Sequence, residues 1–90
     1  MPDFFKNLEY DRALEIERLS RLTYELRENR GAVLAPYGVQ SESALLEQIT
    51  SGTVAEHPAY EHYLAARVLE QTRDHARALM ADKLREANRS

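Results

Sequence analysis

From Pro58 to about Asn88 nothing interrupts a helical pattern. Ala65, Val68, Leu69, Thr72, Ala76, Leu79, Met80, Leu84 and Ala87 follow one broad face, with Lys83 as a polar intrusion. A helix of that length spans roughly 45 Å at 1.5 Å per residue. A chain of 90 residues folded as a ball has a radius of gyration of about 12 Å, hence a diameter of about 30 Å. The helix is longer than the ball it would belong to. Either its end frays, or it extends to meet another copy. We expect a homodimer in which the last helices of two copies lie side by side along Ala65, Leu69, Thr72, Ala76 and Leu79. The alanines at 65, 66, 76, 78, 81 and 87 would let the two backbones approach closely.

A second long helix is expected over about Leu8 to Asn29. Phe5, Leu8, Ile16, Leu19, Thr23 and Leu26 fall near one stripe, with Leu22 beside it. Glu15–Arg18, Glu17–Arg21 and Arg21–Glu25 support the exposed side by a few tenths of a kcal/mol each. Asn29 and Gly31 offer left-handed stop residues. Phe4 and Phe5 precede the periodic stretch, where they extend the helix or fold back as a plug. Between the long helices lies "SESALLEQITSG". It predicts a helix of about nine residues with Ser41 as N-cap, Glu42 at the positive end of the dipole, Leu45, Leu46 and Ile49 as apolar face, and Gly52 as stop. Thr53 with Glu56 has the spacing of a capping box. Pro58, two residues on, makes that a separate single turn and suits the first position of the last helix.

The connection "RGAVLAPYGVQS" is unlike an ordinary linker. It has no charge after Arg30, and it carries Val33, Leu34, Tyr37 and Val39. Ala35-Pro36-Tyr37-Gly38 has turn chemistry, with proline second and glycine fourth. Two readings follow. The segment crosses the groove between the long helices as a lid on the core, or it stays exposed and docks a partner. The lid is favoured, because a chain this short buries only about 60–65% of its unfolded surface and has a thin core. If a partner binds, its contacts are Leu34 and Tyr37 here, with Tyr60 and Tyr63 at the start of the last helix, where amphipathic rings cover area at low entropy cost. Tyr63 with Arg67, one turn on, also has the spacing of a cation–π pair.

Several function classes are excluded by what the chain contains. There is no cysteine, so no disulfide framework, thiolate zinc site or cysteine nucleophile. That composition fits a reducing cytoplasm. No apolar run approaches the roughly 20 residues needed to span a bilayer, and the N-terminal residues have no secretory apolar region. His57, His62 and His75 invite a metal site, but only His57 and Glu61 share a helical ligand spacing, and two ligands make no site. "EHPAYEH" gathers Glu56, His57, Glu61 and His62, yet the helix throws Glu61 and His62 about 100° apart. There is no nucleophile elbow, no His-Glu-x-x-His run and no glycine-rich phosphate loop. We therefore expect no catalytic residues, no cofactor and no metal.

DNA binding is the competing reading. "PYGVQSESALLEQI" has the outline of the turn and second helix of a helix-turn-helix. A reading helix needs cations or amides that meet phosphates and base edges, however, and this one offers Gln40 and Gln48 among glutamates. From Gly31 to Ala66 there is no Lys or Arg, but Glu42, Glu47, Glu56 and Glu61 are present. Net charge is −3, which argues against a nucleic-acid or acidic-membrane partner. On the last helix Arg67, Arg73, Arg77, Lys83, Arg85 and Arg89 are interleaved with Glu70, Asp74, Asp82 and Glu86.

These readings converge on an all-α protein, a single helical domain over 1–90. Two long helices are joined by an ordered apolar loop and one short helix, and the whole forms a dimeric helical bundle. The expected function is that of a small non-enzymatic cytoplasmic adaptor or regulator, whose partners are itself and another protein. The alternative is a small helical DNA-binding transcriptional regulator.

Overall fold

The computed structural model describes residues 2–89, with side chains from 9 to 88. It is all-α. Helix α1 (Pro2–Leu34) leads through a 3-10 turn (Ala35–Tyr37) into α2 (Glu42–Thr50) and then α3 (Glu56–Arg89). Helices α1 and α3 form an antiparallel hairpin. Near its open end Lys83 Nζ lies 3.1 Å from Glu15 Oε2, and near its closed end Arg30 Nε lies 3.4 Å from Glu70 Oε2. Lys83, which breaks the apolar face in sequence, is thus a cross-helix tether. The molecule measures 65 × 18 × 16 Å with a radius of gyration of 18.5 Å. It is a rod, so the long helix is accommodated by a second helix of the same chain running beside it.

The first helix outlasts its expected end. The backbone continues helically through Asn29 and Gly31 to Leu34. A glycine inside a helix costs about 1 kcal/mol against alanine. The extra turn offsets that by carrying Leu34 into the core, where it is 1% exposed, with Val33 packed beside it. The stop comes from Pro36, which disfavours helix at the residue before it, and from Gly38 at φ +66°, whose N–H donates to the Ala35 carbonyl at 3.0 Å. The turn chemistry read from Ala35-Pro36-Tyr37-Gly38 is therefore present. Phe4 and Phe5 fall on the backbone of α1, but their side chains lie outside the described residues.

The short helix forms as its signals direct. Ser41 Oγ accepts from the Ala44 N–H at 3.2 Å, and Gly52 at φ +77° follows the helix. Leu45 is fully buried, Ile49 half-buried and Leu46 37% exposed. Thr53 has a different partner from the one a capping box would give it: its hydroxyl shares a hydrogen bond with Ser51 Oγ at 2.8 Å. His57 is extended (φ −107°, ψ 128°), so the regular run of α3 begins at Pro58.

The core sits at the closed end. Leu34 and Leu45 meet Ala59 and Ala66, ringed by Val33, Tyr37, Val39, Ile49, Val54 and Tyr63. Each buried leucine contributes about 1.5–3 kcal/mol. The apolar connection is thus a lid on the core, and α2 closes the end of the hairpin over it. Further along the rod, burial falls on Ala76 at 6% and on half-buried Ile16, Leu19, Thr23, Leu26, Leu69 and Met80. Ala66 and Ala76 allow close approach, but the helix they admit is α1 of the same chain. Ala78, Ala81 and Ala87 are exposed.

One polar pin joins all three helices. The Arg30 guanidinium donates to both carboxylate oxygens of Glu42, through Nη2 at 3.0 Å and through Nε, and also faces Glu70. Such forked pairing is stronger than a single hydrogen bond. The hydrogen bond from Arg30 holds the Glu42 carboxyl below its ordinary value of 4.5. Glu42 therefore contributes stability that is present above that value and lost as pH falls through the lowered one. Melting temperature should drop partly on this account as pH falls below about 4.5, and Glu42→Gln should start lower and fall less steeply. An acid slope unchanged by Glu42→Gln would remove the pair from the explanation.

Candidate interaction surfaces

The rod presents two edges where α1 meets α3, and one is apolar. Leu19 and Leu22 of α1 line an open cleft of about 400 Å³ with Thr72, His75, Ala76 and Leu79 of α3. Along α3 the apolar row extends beyond the cleft. Leu64, Val68, Thr72, His75 and Leu79 recur at spacings of three and four, so they share one side of the helix. Leu22, Leu64, Val68 and Leu79 are 40%, 40%, 60% and 44% exposed. A second set of apolar side chains on α3 therefore lies outside the intrachain seam.

The expected seam residues divide between these two faces. Ala76 is buried in the single chain, and Ala65 and Leu69 are half-buried. Thr72 and Leu79 lie in the exposed cleft. Sequence reasoning missed Leu64, Leu22 and Leu19 as surface elements. The period of α3 is broad enough to cover two faces, and only the position of α1 tells them apart.

At the closed end a wider cleft of about 750 Å³ opens between α2 and α3, with Leu46, Glu47, Tyr63 and Arg67 among its walls. Arg67 lies 5.9 Å from the centre of the Tyr63 ring, the cation–π spacing read from the sequence, and Tyr60 stacks on Tyr63 with ring centres 5.9 Å apart. The other two expected contact residues are engaged inside the fold. Leu34 is in the core and presents no surface to a partner. Tyr37 is half-buried, with its hydroxyl hydrogen-bonded to His62 Nδ1. Residues at spacing 25 meet here only because the loop folds back on α3, so no local pattern could have shown it.

The remaining titratable groups form small pairs. His57 Nδ1 lies 2.7 Å from Glu61 Oε1 on the surface. That hydrogen bond raises the His57 pKa and lowers that of Glu61. Among the described residues no three His, Asp or Glu side chains converge as metal ligands. No described helix is long and apolar enough to cross a membrane. Thermal unfolding is expected to be indifferent to stoichiometric zinc or to chelator, since a ligand of the folded state alone must raise its stability. A rise of several degrees with zinc would contradict this.

Fold and surfaces together define a capped α-helical hairpin with an exposed apolar edge. Residues 10–88 match the model of the family described as "Uncharacterized protein MJ0235 family", and the chain belongs to that family. No curated protein and no solved structure matches it.

Proposed function

We propose that this protein is a non-enzymatic helical interaction module, an adaptor or regulator that works as a homodimer. The observation that carries the reading is the exposed apolar row of Leu64, Val68 and Leu79 with Leu22 across the cleft. Contiguous exposed apolar patches mark interaction sites. The rod also has surface to spare. Its accessible area is 6717 Å², whereas a compact monomer of 10.4 kDa exposes about 5,400 Å². The excess, about 1,300 Å², exceeds the ~800 Å² per partner that a standard interface takes. Two hairpins joined on this edge make a four-helix bundle with an α2 cap on each copy. An antiparallel arrangement fits the charges, because a parallel one would bring together two stretches (31–66) that carry glutamates and no cation. A cytoplasmic setting goes with this reading, since a chain without cysteine suits a reducing compartment.

The DNA-binding alternative has less support. Helix α2, the would-be reader, spends Leu45 and Ile49 on the core and Glu42 on Arg30. On α3, Arg73 pairs with Glu70, Lys83 with Glu15 and Arg85 with Asp82.

The absence of native cysteine makes a direct test available. Val68→Cys puts a unique thiol on the apolar row, and Tyr10→Cys puts one at a 67% exposed position elsewhere. At high protein concentration a maleimide should label position 68 at least about tenfold more slowly than position 10, and the gap should close on dilution. Equal rates at every concentration would contradict the proposal.

A further inference from the structure

The opposite edge of the α1–α3 seam has different chemistry. By the helical repeat, Ser20, Tyr24 and Arg27 lie on the far side of α1 from Leu22. Together with Thr23, Arg73 and Arg77 they line a cleft of about 320 Å³ with half-buried Met80 on α3. Three arginines from two helices thus line one small cleft, and no acidic residue is among its lining. Arg73 is held by Glu70, through two long contacts of 3.4 Å. Among the described residues Arg27 and Arg77 have no hydrogen bond and no ion pair. Arg27 has no carboxylate three or four residues away on its own helix, and Arg77 has Asp74 three residues before it but no ion pair with it.

Arg27 and Arg77, which have no ion pair, repel one another until an anion arrives. We propose that the cleft binds a small phosphate ester of the nucleoside monophosphate type. Guanidinium forks match the oxygens of a phosphate and bind them with charge-assisted hydrogen bonds. The Ser20 hydroxyl adds a donor. Thr23 Oγ1 already donates to the Ser20 carbonyl at 2.7 Å, so its oxygen can only accept. Tyr24 is 61% exposed at the lip, leaving its ring face open for a planar base to stack on.

The ligand is a single ester rather than a polymer, because the basic surface does not continue. Along the rod Arg21 pairs with Glu17, Lys83 with Glu15 and Arg85 with Asp82, while Arg12 and Arg18 share their clefts with Glu9 and Glu15. A strand of nucleic acid needs a groove that tracks its backbone over several phosphates. The cleft is also near the ~300 Å³ lower limit of ligand sites. This site goes beyond the dimer reading and does not depend on it, because it lies on the other edge of the rod.

The test is titration of the intact protein, followed by calorimetry and melting, with inorganic phosphate, adenosine 5′-monophosphate, adenosine and a single-stranded oligonucleotide. The monophosphate should bind and raise the melting temperature, phosphate should bind more weakly, and adenosine should not bind. Arg27→Gln and Arg77→Gln should each weaken the monophosphate by about tenfold or more, while the helical circular-dichroism signal stays intact because neither arginine has a partner to lose. Tyr24→Ala should weaken the monophosphate and leave phosphate unchanged. Absence of monophosphate binding at millimolar concentration would overturn the proposal, as would binding indifferent to Arg27→Gln and Arg77→Gln. An oligonucleotide bound far more tightly than the monophosphate, with a salt dependence of several phosphates, would overturn it in favour of a nucleic-acid surface.

Discussion

Leu34→Asp is expected to lower the melting temperature by about 12 °C or more. Leu34 is 1% exposed, packed among Leu45, Ala59 and Ala66. A carboxylate there has no cation within the cluster and must either stay charged in an apolar site or take up a proton, at a cost of several kcal/mol. The whole stability of a small domain is only about 5–15 kcal/mol. A loss of about 3 kcal/mol lowers the melting temperature of a domain this size by about 12–24 °C. Leu34→Met, which nearly conserves volume, should cost less than about 1.5 kcal/mol. Together the two substitutions separate a core role from loss of loop surface: a melting temperature for Leu34→Asp within about 2 °C of the parent would sink the lid.

Leu79→Glu should do the reverse, sparing the hairpin and breaking the pair of hairpins. Leu79 is 44% exposed in the single chain, so a glutamate there remains hydrated as long as the chain is alone. In the proposed bundle the same charge would be buried against an apolar face, at a cost of 2–3 kcal/mol or more. The dimer carries the substitution twice, so its dissociation constant should rise by about a thousandfold or more, with helix content unchanged. Ala76→Asp is the contrasting variant. Ala76 is 6% exposed within one chain, so its loss should lower monomer stability. If Leu79→Glu unfolds the chain while leaving association of the residual folded protein unaltered, the apolar edge is not the interface.

The elements were legible in the sequence where their signals are local. Ser41, Gly52 and Pro58 mark helix ends by backbone chemistry that needs no distant partner. The Tyr63–Arg67 pair was visible for the same reason. The end of α1 was not, because Gly31 is a stop only if nothing beyond it repays continuing the helix, and burial of Leu34 does so. The partner of α3 was not legible either. Ala76 and Leu79 belong to one apolar pattern, and a pattern says that a face will be covered without saying by what. The α1 helix of the same chain covers the Ala76 side. The Arg30–Glu42–Glu70 pin and the meeting of Arg27 with Arg73 and Arg77 depend on the hairpin; spacing along the chain showed only that Arg73 and Arg77 share one side of α3.

Sedimentation equilibrium of the unmodified protein tests the central claim most directly. Over about 1 to about 100 micromolar the fitted mass should rise toward about 21 kDa, twice the 10.4 kDa of one chain, as mass action fills the apolar edge. A mass that stays near 10.4 kDa throughout the range would contradict the account.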